Sequence, residues 1–145
     1  FMADPVAGLL EMKRVTRPGG LVAACVWDHG GGSGPLSNFW RAARELDPDA
    51  NDESGLPGAS EGSLAALFRA AGLRDLVETV VSADLEHESF EEWWEPFTRG
   101  VGPAGSYTAS LDPARQAALR EGCRRLVLAG SFVVPARAWA VRGTA

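Results

Sequence analysis

The chain reads as an α/β domain, a small open sheet with flanking helices, and three observations predict it. Leu21 to Trp27 is a continuous apolar run between Arg17-Pro18-Gly19-Gly20 and a glycine cluster, the pattern of a strand covered on both faces. Leu73 to Glu86 changes to period two. Val77, Thr79, Val81, Ala83 and Leu85 share one face there, and Glu78, Ser82, Asp84 and Glu86 lie on the other, wet one. Around these strands apolar residues recur at helical spacing, so helices and strands alternate along the chain.

Each element has its own signals. Asp4 as N-cap and Pro5 as first helical residue predict a helix over 5–16, stopped before Arg17-Pro18-Gly19-Gly20. After the strand at 21–27, Gly30 to Pro35 is a loop. A helix follows, with Leu36, Phe39, Trp40, Ala43 and Leu46 along one side. Residues 47–59, acidic and rich in turn formers, predict an exposed connection able to order over a ligand. Ser60 then caps a helix with Leu64, Leu67, Phe68 and Ala71 on its inner face, which Gly72 ends in a left-handed conformation.

Beyond the second strand, Ser89 and Glu92 form a capping box, and Phe90, Trp93, Trp94 and Phe97 make a stripe on a helix that Pro96 ends or kinks. A loop of glycine and proline comes next. Asp112 and Pro113 start a helix with Ala118, Leu119, Cys123 and Leu126 inward, and a last strand runs over 131–141. Pro135 has no amide to give a ladder, which predicts a strand beginning after it or a bulge there.

Composition bounds the function. With 145 residues, 46% of them hydrophobic, the chain fits one domain over 1–145 with a real core. A net charge of −5 and the lack of any Lys/Arg block argue against nucleic-acid binding. No apolar segment is long enough to span a bilayer and no signal pattern opens the chain, so no membrane contact and a cytoplasmic setting are expected. Two isolated cysteines, Cys25 and Cys123, read as buried thiols. Two histidines, His29 and His87, lack metal-ligand spacing, so no metal is expected.

The glycine cluster, Asp28-x-Gly30-x-Gly32-x-Gly34, follows a strand and precedes a helix, the local context of a dinucleotide-binding loop. Such a loop needs a second strand about 20 residues on that ends in an acid for the ribose hydroxyls. Residues 47–59 are no strand, so the cluster reads as an ordinary loop.

The segment before it has the more specific pattern. Leu10, Glu11, Arg14, Val15, Pro18, Gly19 and Gly20, within "DPVAGLLEMKRVTRPGGLVAACVW", resemble in order the stretch of class I S-adenosylmethionine-dependent methyltransferases that joins the fourth strand to the fifth. The small-molecule type is the nearest in pattern. Leu64 to Leu73, "LAALFRAAGL", resembles that family's helix before the sixth strand. The resemblance takes in the whole chain but only the second half of the family's domain. It implies the C-terminal part of a Rossmann-like fold: a three-stranded mixed sheet of fifth, seventh and sixth strands, in that spatial order, with the seventh antiparallel. The family's cofactor contacts come from its first three strands, so the resemblance implies no S-adenosylmethionine site in this chain and no activity by it alone. It also implies that Phe1 and Met2 stand near the methyl-transfer centre, with the chain beginning inside a longer one.

Candidate site residues lie where open α/β sheets bind ligands, beyond the strand's C-terminal end. Trp27 and Asp28 are expected to line a small-molecule substrate, with His29 as general base. Trp40 and Trp94, on helices at the family's variable lid positions, are expected to wall an apolar pocket, although helical spacing also fits them, and Trp93, as core. Glu91, Glu92 and Glu95 read as the wet face of their helix. The strand 21–27, without its family neighbour, predicts a dimer through residues 21–27, an exchange of the first helix, or docking of the missing N-terminal half. A second functional class fits the same residues: a standalone non-catalytic α+β module that binds a small apolar ligand or a partner chain.

Overall fold

The computed structural model describes residues 2–50, 52–127 and 129–145. The order is α1 (Pro5–Val15), β1 (Leu21–Trp27), α2 (Ser37–Leu46), a 3-10 turn (Glu53–Gly55), α3 (Ser63–Ala70), β2 (Arg74–His87), α4 (Phe90–Thr98), α5 (Gly102–Ser110), α6 (Pro113–Arg125) and β3 (Phe132–Thr144). The three strands form one open sheet in the order β1-β3-β2. β1 lies antiparallel to β3, from Leu21 opposite Thr144 to Trp27 opposite Ala138. The sheet is antiparallel throughout rather than mixed, because the central strand runs against both neighbours. The chain is α/β, as the patterns predict, and divides into two compact units, each with its own core.

The first unit comprises residues 1–34, 54–82 and 137–145. Asp4 caps α1 by accepting from the Ala7 amide at 3.0 Å. The helix stops at Thr16, and the Gly20 amide closes a turn onto the Arg17 carbonyl at 2.8 Å. Gly19, third in that turn, has φ of +75°, which a type II turn after proline requires. The Pro-Gly-Gly sequence is thus a reversal device that feeds the chain into β1. Helices α1 and α3 pack together over one sheet face, burying Leu9, Val22, Leu64, Phe68, Leu73 and Val141.

The other face of this unit's sheet is open along β1 and β2, while Ala138 opposite Trp27 is buried. Leu21, Ala23, Cys25 and Trp27 are exposed, as are Val77 and Val81. The strand expected to be covered on both faces is covered on one. Val77 and Val81, expected to face a core, are open to water instead. The apolar run records a preference for cover that these residues do not supply. Cys25, expected to be buried, is exposed for the same reason.

The second unit comprises residues 35–53 and 83–136. Its core is aromatic: Phe39, Trp40, Phe90, Trp93, Trp94 and Phe97, with Leu119 and Cys123 behind them, held as α2 packs on α6 and α4 on α5. Ser89 accepts from the Glu92 amide, but the Glu92 carboxylate takes the Glu88 amide, so the capping box is half formed. Pro96 does not end α4, which runs on to Thr98.

Other local expectations change too. The segment read as a loop of glycine and proline is α5, whose Pro103 sits in the first turn, where an amide is dispensable. Gly62, with φ of +72°, rather than Ser60, stands at the N-cap of α3. Ala118 is exposed on α6. β3 spans Phe132–Thr144 and so does not start after Pro135. The reason lies in the ladder: the Asp28 amide donates to Arg137 and the Ala145 amide to Gly20, so odd residues of β3 turn their amides toward β1. The β1 ladder stops before 135, and the missing proline donor has no acceptor to disappoint.

Candidate functional site

Trp27, Asp28 and His29 stand at the C-terminal end of β1, and the side chains answer to different needs. Trp27 is 39% exposed on the open face. Asp28, only 3% exposed, turns inward. Its Oδ1 accepts from the Trp139 indole Nε1 at 2.9 Å and from the Gly31 amide at 2.9 Å. A buried carboxylate with two donors is a structural anchor, tying the loop to a residue 111 positions away. Arg137 lies over the Trp139 ring at 5.5 Å, covering the anchor.

The glycine cluster is wound around this anchor. The amides of Asp28, His29, Gly30, Gly32 and Ser33 donate to the carbonyls of Arg137, Trp27, Ala59, His29 and Asp28, and Gly31 donates to the Asp28 carboxylate. Six consecutive amides are therefore committed within the protein, at distances of 2.8–3.2 Å. A phosphate- or ribose-binding loop needs amides that converge on open space. This one does not fit a nucleotide cofactor. Its glycines answer to packing: a Cβ at Gly30 would strike Ser60, one at Gly31 the Asp28 carboxylate, and one at Gly34 would lie 2.9 Å from His29 Nδ1, while Gly32 has φ of +68°.

His29 is half-buried with its ring against Gly34. It is engaged by the protein, as Asp28 is, so the trio splits into one exposed aromatic and two packed polar groups.

Trp40 and Trp94 belong to the second unit, and both are core residues there. Trp40 is 4% exposed and its Nε1 donates to Glu53 Oε2 at 3.0 Å. Trp94 stacks on Phe90, with centroids 6.0 Å apart and planes 12° from parallel. Helical spacing as core packing describes both, and Trp93 with them. The 47–53 segment is held down by the Trp40–Glu53 bond and an Arg44–Asp52 ion pair, and in the first unit Ala59 is fully buried. The connection expected to be exposed is pinned at both points.

The acidic run on α4 faces water, as expected. Glu91 accepts from Arg120 at 2.9 Å and Arg124 at 2.7 Å, and the Arg124 guanidinium holds its carboxyl below the usual carboxylate range. Glu95 pairs with Arg99. In the buried part of this unit, desolvation pushes the Cys123 thiol up to about 12.

Among the described residues no three His, Cys, Asp or Glu side chains gather to hold a metal ion, and no helix is long and apolar enough to cross a membrane. Met2 is exposed beside α1, and Phe1 lies outside the described residues. Trp139 and Arg137, which complete the end of β1, escape sequence reasoning. Nothing local marks a residue 111 positions away as the partner of Asp28, and only the β1–β3 register brings them together. No protein-family model matches the chain, and no curated protein matches it either.

Proposed function

We propose that this chain is the C-terminal part of a class I S-adenosylmethionine-dependent methyltransferase that acts on a small molecule. One observation carries the reading: the spatial order β1-β3-β2, with the last strand in the centre and antiparallel to β1. That is the order the resemblance implies for the fifth, seventh and sixth strands. It appears behind a helix and a Pro-Gly-Gly reversal that match the family's residues in sequence. The open face and open edge of β1 are further support, since a longer domain has material to cover both.

In this reading the chain's own contribution is a scaffold and part of a wall. Trp27 offers an exposed aromatic surface beyond the strand end, and the Asp28–Trp139 anchor fixes the loop behind it. The amides of 28–33 are committed within the protein, and in this reading the cofactor's contacts come from the family's first three strands. Titration calorimetry with S-adenosylmethionine tests the proposal on the 145-residue chain and on the full product of its reading frame. Binding by the longer product and none by the chain is the expected pair of results. Micromolar one-to-one binding by the chain itself, or none by a longer product, overturns it.

A further inference from the structure

We propose that the outer edge of β2 is a docking site for an extended basic peptide, a Lys- or Arg-bearing segment of another protein that joins the sheet as its next strand. β2 ends the sheet order β1-β3-β2 and stands inside the chain, between α3 and α4. In the methyltransferase reading a longer domain extends the sheet beside β1, so β2 remains its last strand. Among the described residues no strand lies beyond it. Every residue from Val77 to Asp84 is exposed, with Val77, Val80 and Val81 at 45, 39 and 52%.

The ladder fixes which backbone groups of β2 face outward. Odd residues of β3 turn theirs toward β1, as the Asp28–Arg137 and Ala145–Gly20 bonds show. A Cβ at Gly143, opposite buried Val22, would strike Leu76, so odd residues of β3 and even residues of β2 share the covered face. Opposite residues of an antiparallel pair share a face and exchange both backbone bonds or neither. Odd residues of β3 spend theirs on β1, so Leu76, Glu78, Val80, Ser82, Asp84 and Glu86 turn N–H and C=O outward.

Charge selects the occupant. β2 carries four acidic residues against one arginine, Arg74. Glu78, Asp84 and Glu86 belong to the outward set, and each is exposed with no ion-pair partner among the described residues. A second copy would lay its own carboxylates along the same seam, so this edge turns its like away. A strand with Lys or Arg opposite Glu78, Asp84 and Glu86 neutralises them instead. Apolar residues between those cations then meet Val77, Val81 and Ala83 on the other face. Main-chain bonds supply the affinity of such strand addition, and the carboxylates supply the choice of partner.

The probe is a synthetic peptide with blocked ends, Lys-Val-Lys-Val-Ser-Val-Thr-Val-Lys, which lies antiparallel with its first lysine opposite Glu86 and its last opposite Glu78. Titrated into the 145-residue chain, it should bind one to one and more weakly as salt rises. Amide exchange should slow at Glu78, Val80, Ser82 and Asp84 and stay unchanged at Val77, Thr79 and Val81, whose amides β3 already holds. Glu78→Lys should weaken binding by roughly fivefold or more, and Glu121→Lys, an equal change of charge on α6, should leave it unaltered. Should Glu78→Lys misfold by circular dichroism, Asp84→Lys makes the same test. The same peptide N-methylated on the amides that face β2 keeps its charge and should not bind. Absence of binding overturns the proposal and leaves the carboxylates as a guard on the edge. Binding that survives N-methylation or the charge reversal is a general attraction of cations to an acidic chain, and it overturns the proposal too. The inference goes beyond the methyltransferase reading, which calorimetry with S-adenosylmethionine decides whatever the peptide does.

Discussion

Replacing Asp28 by alanine strips the loop beyond β1 of its anchor. Its carboxylate accepts from the Trp139 indole and the Gly31 amide, both at 2.9 Å, and is 3% exposed. Hydrogen bonds to a charged group contribute about 1.5–3 kcal/mol each, and a buried donor left without an acceptor costs about 1–3 kcal/mol. These are two views of the same loss and are not added. Because Gly31 is exposed, its amide can turn to water, so most of the penalty falls on Trp139. A destabilisation of about 1.5–3 kcal/mol follows. Asp28→Asn keeps an oxygen at the same place and gives up only the charge, so it should cost about 1 kcal/mol. Urea unfolding followed by circular dichroism gives both values, and an emission shift from Trp139 toward the solvated range should accompany the alanine variant alone. Two variants within about 0.5 kcal/mol of the parent chain, or of one another, would refute the anchoring role.

The remaining outcomes are more local. Phe68→Ala should destabilise by about 3–5 kcal/mol, because its ring is fully buried between α1, α3 and the sheet. Trp94→Ala should cost a comparable amount by thermal or urea melting, as its place in the aromatic core requires; an unchanged melting curve would return it to the candidate wall residues. A thiol reagent should modify Cys25 in the folded chain and reach Cys123 only after denaturation, and equal rates at both would contradict their burial. The Cys123 thiol, raised from 9.0 to about 12 by burial, stays protonated in the folded state while the unfolded one ionises, so its contribution is complete below pH 9 and declines as pH rises toward 12. The slope is at most about 1.4 kcal/mol per pH unit, and Cys123→Ala should flatten that part of the pH–stability curve.

Much of the fold was legible because its signals are local. Asp4 with Pro5, and Asp112 with Pro113, mark helix starts by chemistry complete within one turn. Pro18 and Gly19 encode a reversal in the conformations they permit, and Gly72, at φ of +70°, does the same at the end of α3. The stripe Phe90, Trp93, Trp94 and Phe97 places an aromatic face at helical spacing, and the unit's core forms there. α5 was missed because glycine and proline dominate its first turn, where proline is welcome and resembles a loop.

The sequence by itself determined the three strands, five of the six helices in their order, and the aromatic character of one core, since each depends on neighbours a few residues apart. Tertiary structure alone decided the site. The pattern of β1 calls for cover on both faces, but whether a face is covered depends on what else packs there, and Cys25 and Trp27 stand in water. Asp28 follows a strand and precedes glycines whether it binds a ribose or holds an indole; the register that carries Trp139 to it fixes the second role. The glycines that look like a cofactor loop have the same small volume in either setting, and only the partners of their amides distinguish an open cradle from a closed turn.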